Sequence, residues 1–404
     1  MTYVIIGNGT AGIAAALSLR KHDKEGRIII LSDEEMPYYS RPLIVDVMTG
    51  KRSRNDLILL SPEEYLLQGL ELRKPVTVKQ LSISAKEVET SAGPISYDKL
   101  LIASGATPKG LPFGGGGVFY LRSVDDAEAI RRALRTGAKK VLIYGAGPVG
   151  VKAACALVEA RVPVSFVVTS QRILSRVFDR KAALHFQRLF EARGVRFHMG
   201  RQVNSVIRKR GFRGIITDKG EEIAGDLLIA GKGVLPHVTF AAHAGIQADE
   251  GIFVNDRMET SAEGVYAAGD AARAPMAGGT EKEVTAIWPL AQAQGKVAGA
   301  NMAGQAREYA GSVGSNSLEC FGTRAISLGV VEGGGFEETV VEDEDLYRKY
   351  VFDGERLVGA VLVNNIQGAG ILLDAVRKGL ALKGHPFLYN FGRSVDETKA
   401  EVLF

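Results

Sequence analysis

The sequence predicts an α/β protein made of two Rossmann-like dinucleotide-binding domains followed by a C-terminal α+β domain. Three observations carry this expectation. A turn of the form G-x-G-x-x-G follows an apolar run at Ile6-Gly7-Asn8-Gly9-Thr10-Ala11-Gly12, and it returns at Tyr144-Gly145-Ala146-Gly147-Pro148-Val149-Gly150. Beyond residue 309, strand-like segments replace the small-residue helical runs that follow both turns. In such a turn the first two glycines let the backbone approach a pyrophosphate, and the third lets helix and strand pack closely. The helix that follows presents unpaired N–H groups to the phosphates. Two such turns in one chain imply two dinucleotides and electron transfer between them.

A chain of 404 residues exceeds one ordinary core, so two or three domains are expected. Its 48 glycines suit many contacts between backbone and ligand. The net charge of +4 comes without a basic run that would argue for nucleic acid, and no apolar run is long enough to span a bilayer. Cys155 and Cys320 are the only cysteines and lie far apart, which excludes a CxxC pair and a zinc site. Tyr3 already opens the first strand, leaving no room for a signal peptide, so a cytoplasmic protein is expected.

In chain order, a helix over residues 13–20 and a strand over 27–31 lead to Ser32-Asp33-Glu34-Glu35. An acid about 20 residues past the last glycine pairs with an adenosine ribose, and Asp33 and Glu34 both qualify. Next come the proline and aromatic loop Tyr38-Tyr39-Ser40-Arg41-Pro42, a helix over 56–72, and short strands over 73–97 with a turn at Gly93-Pro94. A buried strand then ends in Ala103-Ser104-Gly105-Ala106, small enough for close approach of something flat or charged. The run Gly114 to Gly117 reads as a flexible connection between domains.

The second β-α-β core spans 141–168 and ends in Thr169-Ser170-Gln171-Arg172, with no carboxylate for a ribose 2′-hydroxyl. That leaves NADH and NADPH both open. Arg172 is a candidate for a 2′-phosphate and equally an exposed arginine at a helix start. Gly231-Lys232-Gly233-Val234-Leu235-Pro236 returns the chain to the first domain. A strand then runs into Gly269-Asp270, read as the start of a helix, and a further helix, small on one face, is expected over 283–303. The six histidines lie outside these motifs, and no general acid or base is nominated.

Taken together, the two fingerprints, Ala103-Ser104-Gly105-Ala106, the Gly-x-Gly-x-x-Pro turn and Gly264-Val265-Tyr266-Ala267-Ala268-Gly269-Asp270 resemble the FAD-dependent pyridine nucleotide-disulfide oxidoreductase superfamily. Tyr39-Ser40-Arg41-Pro42, Ile287-Trp288-Pro289 and Asn316-Ser317-Leu318-Glu319 are similar to the NADH:rubredoxin oxidoreductases and the flavin module of assimilatory nitrite reductases. The resemblance implies a glutathione-reductase-like arrangement, with FAD on residues 1–108 and 236–308, NAD(P)H on 109–235, and an interface domain over 309–404. FAD would be held by Gly7, Gly9, Thr10, Ala11, Gly12, Asp33 or Glu34, Arg41, Pro42, Ser104, Gly105, Gly269, Asp270 and Trp288. NAD(P)H would lie on Gly145, Gly147, Pro148, Val149, Gly150, Lys152, Ser170, Arg172 and Gly233. Lys152 replaces the family's glutamate after the second fingerprint, and Val45-Asp46 stands where many relatives carry Ser-Lys.

With no redox cysteine in the loop after the first β-α-β unit, the resemblance implies that electrons leave from the flavin to a one-electron carrier such as rubredoxin, ferredoxin or an iron-sulfur subunit. Three rivals stay open at this stage: a peroxide-forming NADH oxidase, an FAD subunit of a larger complex that reduces NAD+, and a redox-sensing interaction protein. Homo-oligomers and a larger redox complex are both compatible with the sequence.

Overall fold

The computed structural model describes residues 1–278, 281–343 and 346–390. The chain divides into two compact units. Unit 1 comprises Met1–Gly110, Arg122–Glu128 and Gly233–Ser312, and unit 2 comprises Leu111–Leu121, Ala129–Lys232 and Val313–Phe404.

Unit 1 is centred on a five-stranded parallel sheet in the order Val265–Ala267, Lys99–Ile102, Thr2–Ile6, Arg27–Leu31, Leu70–Arg73. Its inner strands are almost fully buried, and the apolar runs Tyr3 to Ile6 and Ile28 to Leu31 supply much of its core. The order reverses at Thr2–Ile6, so a crevice opens beyond that strand's carboxyl end, where the first glycine turn sits. Helix Thr10–His22 leaves this turn and packs on helix Trp288–Met302.

Unit 2 repeats the plan with strands in the order Arg196–Met199, Val164–Val168, Val141–Tyr144, Leu227–Ala230, Val118–Tyr120, all parallel. Here too the order reverses at the strand that enters a glycine turn, and helix Pro148–Glu159 follows. The unit also contains a five-stranded antiparallel sheet, Ser315–Cys320, Thr323–Gly329, Arg356–Val363, Tyr347–Asp353 and Glu337–Glu342. Helix Ala369–Lys378 covers it through Leu372 and Ala375.

Four sequence expectations are corrected. The helix over 56–72 shrinks to Pro62–Leu67, opened by a Ser61/Glu64 capping box and stopped at Gly69, whose φ is +62°; Leu70 to Leu72 instead join the parallel sheet. Gly93-Pro94 is not a turn but opens strand Gly93–Ser96. Gly269-Asp270 starts no α-helix: it forms the short 3-10 turn Gly269–Ala271 and passes into strand Ala272–Pro275, and the next helix begins only at Trp288, with Pro289 in its first turn. The run Gly114 to Gly117 falls inside unit 2 rather than at its boundary, exposed at Gly114, Gly115 and Gly116 and tied at its ends. Arg208 donates to the Gly114 carbonyl, and a Cβ on Gly117 would lie 2.2 Å from Cβ of Phe212.

Asp226 pins the entry to the central strand of unit 2, accepting the N–H groups of Lys139 and Lys140 at 2.8 and 2.9 Å. Partial burial opposes its charge, but these bonds and the Arg213 and Lys140 charges outweigh it and hold the carboxyl below the usual aspartate range. A folded-state value below the unfolded one gives stability that is present above the unfolded value and lost as pH falls through the folded one. Asp226→Asn is therefore expected to cost about 0.5–1 kcal/mol at neutral pH, allowing for solvent screening. The gap from wild type should close as pH drops below about 3.9. Urea unfolding at a series of pH values checks this, and a pH-independent gap would contradict it.

Candidate functional site

Each glycine turn is shaped by the same three constraints. In unit 1 a Cβ on Gly7, at φ +112°, would lie 2.1 Å from the Ala103 carbonyl oxygen, and one on Gly12 would lie 2.0 Å from that of Gly7. A Cβ on Gly9 would meet nothing within 4 Å. In unit 2 the corresponding clashes are 2.3 Å for Gly145 against Gly231 and 2.3 Å for Gly150 against Gly145, while Gly147 again meets nothing within 4 Å. The outer glycines thus let the backbone close on itself, and the middle one leaves an open face at a helix start. Neither Gly9 nor Gly147 brings a side-chain cap to its helix, so the first N–H groups remain available for an anion. These cradles fit the diphosphate of a dinucleotide in each unit.

Around the first cradle, Tyr65 donates to Asn8 at 2.6 Å, and Tyr38 donates to the Thr10 hydroxyl at 3.3 Å. The Tyr38 ring lies 6.2 Å from that of Trp288, so the aromatic loop and the start of the second helix meet next to the glycine turn. The two candidate ribose acids separate. Glu34 pairs with Arg41 at 2.5 Å and accepts from Tyr39 at 2.7 Å, whereas Asp33 is exposed and faces solvent at the end of its strand. Burial holds the Tyr39 hydroxyl above the ordinary tyrosine range in spite of the Arg41 charge, so Tyr39 keeps its proton and donates it to Glu34 in a hydrogen bond. For Arg41, burial is outweighed by Tyr39 and Glu34, which hold the guanidinium in its charged form. Pro42 is exposed within the 3-10 turn Arg41–Leu43.

On the far side of the crevice Ser104 donates to the His237 carbonyl at 2.8 Å, and the Gly105 carbonyl accepts the His237 N–H at 2.9 Å. Gly269 donates its N–H to the buried Gln294 at 2.8 Å, and its α-carbon lies so close to helix Thr10–His22 that a Cβ would be 2.9 Å from that of Ala11. Asp270 pairs with Arg122 at 2.6 Å. Arg122 was not singled out from sequence. It is 148 residues from Asp270, and its main-chain carbonyl also accepts from Arg41 at 3.2 Å, joining the aromatic loop to the Asp270 turn.

In unit 2, Pro148 and Val149 are exposed on the first turn of the helix, Lys152 is half-buried on the next, and the Leu174 N–H bonds the Ala146 carbonyl at 2.7 Å. Ser170 donates to the Arg172 carbonyl at 2.6 Å. Arg172 itself is committed to Glu332, with contacts of 2.5 and 3.1 Å, which removes it as a free partner for a 2′-phosphate. Gly233 falls in unit 1, where its carbonyl accepts the Lys109 N–H. Lys232 was passed over in the sequence as part of a returning turn. Its ammonium reaches Thr169 Oγ1 at 2.5 Å, at the end of strand Val164–Val168.

Among the described residues no helix is long and apolar enough to cross a membrane. Residues 1–295 match the family model described as pyridine nucleotide-disulphide oxidoreductase, and residues 315–380 match that of the rubredoxin NAD+ reductase C-terminal domain. The chain is 33% identical over 385 residues to the NADH-dependent phenylglyoxylate dehydrogenase subunit epsilon of Aromatoleum evansii, covering 93% of this chain and 91% of that protein. It is 31% identical to the assimilatory nitrate reductase electron transfer subunit of Bacillus subtilis, of which it spans about half the length, 49%, with 93% of this chain. The putidaredoxin reductase in its covalent complex with putidaredoxin superposes with a TM-score of 0.86 at 25% identity, over 94% of each chain. The chain thus belongs to the pyridine nucleotide-disulphide oxidoreductase family, as an oxidoreductase that uses FAD and NAD(P)H and carries the C-terminal domain of rubredoxin NAD+ reductases.

Proposed function

We propose that the protein takes electrons from a reduced pyridine nucleotide held on unit 2 and delivers them from FAD held on unit 1 to a small iron-sulfur carrier. The observation that carries this reading is the pair of glycine cradles, alike in all three of their constraints, one in each unit. When bound, FAD supplies the conversion of one two-electron donation into two one-electron deliveries. The chain's own groups bind and orient. The N–H groups at the start of helix Thr10–His22 meet the diphosphate, Asp33 accepts a ribose hydroxyl, and the Arg122–Asp270 pair, tied to Arg41, fixes the turn facing them. Trp288 and Tyr38, their rings tilted by 47° to each other, offer an aromatic wall beside the cradle. Unit 1 contains no cysteine, and Cys155 and Cys320 are both buried in unit 2, so no thiol of unit 1 relays electrons from the flavin.

In this reading FAD takes residues 1–108 and 236–308, the pyridine nucleotide takes 109–235, and residues 309–404 form a partner or subunit interface in a cytoplasmic protein. The full-length similarity to a dehydrogenase subunit favours one second reading, in which an iron-sulfur subunit feeds electrons in and NAD+ takes them out. Anaerobic titration of the purified yellow protein with NADH and NADPH tests both. Bleaching of the flavin by about one equivalent of either, followed by reduction of added rubredoxin or ferredoxin, is expected from the reductase. Flavin that neither nucleotide bleaches would end the reductase reading, and stable co-purification with iron-sulfur subunits would favour the reverse direction.

A further inference from the structure

We infer that the pyridine nucleotide of unit 2 carries a 2′-phosphate, gripped by Lys232 where strand Val164–Val168 ends, with Arg176 on the loop that follows, so that the donor is NADPH. This rests on unit 2 being a dinucleotide domain and goes beyond it by choosing the nucleotide. In doubly wound domains the group just past the second strand reads the adenosine ribose. A carboxylate there binds the 2′-hydroxyl, and a cation there accepts the 2′-phosphate.

In this chain Thr169 stands at that point, and residues 164–178 contain no Asp or Glu. The next acid, Asp179, is buried and already accepts from the Ala182 N–H and the Tyr347 hydroxyl. Arg172 is consumed by Glu332. The group that takes the ribose position is Lys232. Its turn is pressed against the glycine turn, since a Cβ on Gly145 would lie 2.3 Å from the Gly231 carbonyl oxygen. From there the ammonium lies 4.5 Å from the centre of the Tyr144 ring and 2.5 Å from Thr169 Oγ1.

Packing on Tyr144 would account for Lys232 alone. It leaves Arg176 unexplained. Arg176 is exposed on the loop after the same strand, and its charge acts on Lys232. Neither cation forms an ion pair among the described residues. Partial burial, and then the Arg176 charge, push the Lys232 ammonium below the ordinary lysine range. Two like charges that act on each other without an acid are disfavoured until an anion arrives. A 2′-phosphate is a dianion that would meet both, with the Thr169 hydroxyl as a further donor.

Isothermal titration calorimetry on the flavin-loaded, full-length protein decides the point with two isomers of equal charge, 2′,5′-ADP and 3′,5′-ADP. The expected result is that 2′,5′-ADP binds at least about tenfold more tightly, a difference of about 1.4 kcal/mol. Lys232→Met should bring the ratio to within about twofold of unity, and Lys232→Arg should keep most of it. Equal affinity of the two isomers for the wild-type protein overturns the inference and leaves the dinucleotide domain standing. Binding of neither overturns the domain reading as well. Because the wild-type comparison needs no variant, a failure of Lys232→Met to fold does not blur the outcome.

Discussion

Gly9→Val is expected to give a folded protein that emerges from purification without FAD, whereas Gly12→Val, three residues away in the same turn, is expected to damage the fold itself. The difference follows from what each new side chain meets. Gly9 has ordinary extended backbone, φ −86° and ψ −171°, and a Cβ there touches no protein atom within 4 Å. Apart from a helix-cap penalty of about 1 kcal/mol, the apoprotein has no reason to object to valine. A diphosphate drawn onto the first N–H groups of the helix would occupy that open space, so the valine excludes the ligand and little else. At Gly12 the Cβ lies 2.0 Å from the Gly7 carbonyl oxygen and 3.3 Å from Ile5 Cγ2, which forces strand and helix apart at a cost of about 3–5 kcal/mol. Flavin content after desalting, read beside the thermal midpoint of each apoprotein, separates the two effects. The apo form is the right reference because bound flavin itself stabilises the fold. Gly9→Val that keeps a full complement of FAD would show that the open cradle is not the diphosphate site. The corresponding pair in unit 2, Gly147 and Gly150, should divide in the same way, with binding of added pyridine nucleotide as the readout.

What the sequence made legible is what backbone sterics decide locally. Both glycine turns, their entering strands and their departing helices are where a G-x-G-x-x-G repeat demands, because only glycine survives contacts near 2 Å with a carbonyl oxygen. Where the decisive contact is distant in sequence, nothing local marks it. Asp33 and Glu34 are told apart by Arg41 folding back onto Glu34. Arg122 shows itself only as the residue before Ser123, whose hydroxyl accepts from Asp126 N–H, a recognisable helix-start signature that says nothing of Asp270. Lys232 reaches across 63 residues to Thr169, and a sequence read for carboxylates at that strand end records only that one is missing. The Asp270 turn was misread because a strand entering Gly-Asp looks the same whether a helix or a 3-10 turn follows. The left-handed φ of +75° at Gly269 and the close approach of Ala11 decide it, and both depend on a helix more than 250 residues earlier in the chain.

The contact of that early helix with helix Trp288–Met302 carries the second large effect. Gly299→Leu is expected to lower the thermal midpoint of the protein by at least about 8 °C and to release FAD, while Gln292→Leu, on the exposed side of the same helix, should do neither. Helix Trp288–Met302 meets helix Thr10–His22 at backbone distance. A Cβ on Gly295 would lie 2.2 Å from the Ala11 carbonyl oxygen, and one on Gly299 would lie 2.2 Å from that of Ala15. Two glycines four residues apart stand on one face of their helix and form a smooth groove into which the alanine-rich helix settles. A leucine at position 299 has no rotamer that avoids the facing backbone, so the helices must separate, at about 4–5 kcal/mol. The consequence for function comes from what the two helices hold. One starts with Thr10 and Ala11 of the glycine turn, and the other starts with Trp288 against Tyr38. Spreading them moves the diphosphate cradle away from the aromatic wall without altering any residue of either. Gly299→Ala, with its smaller intrusion, should fall between wild type and leucine in both stability and flavin content. If Gly299→Leu lost stability yet kept FAD with wild-type affinity, the helix pair would be scaffold alone, and the placement of Trp288 beside the flavin would have to be abandoned.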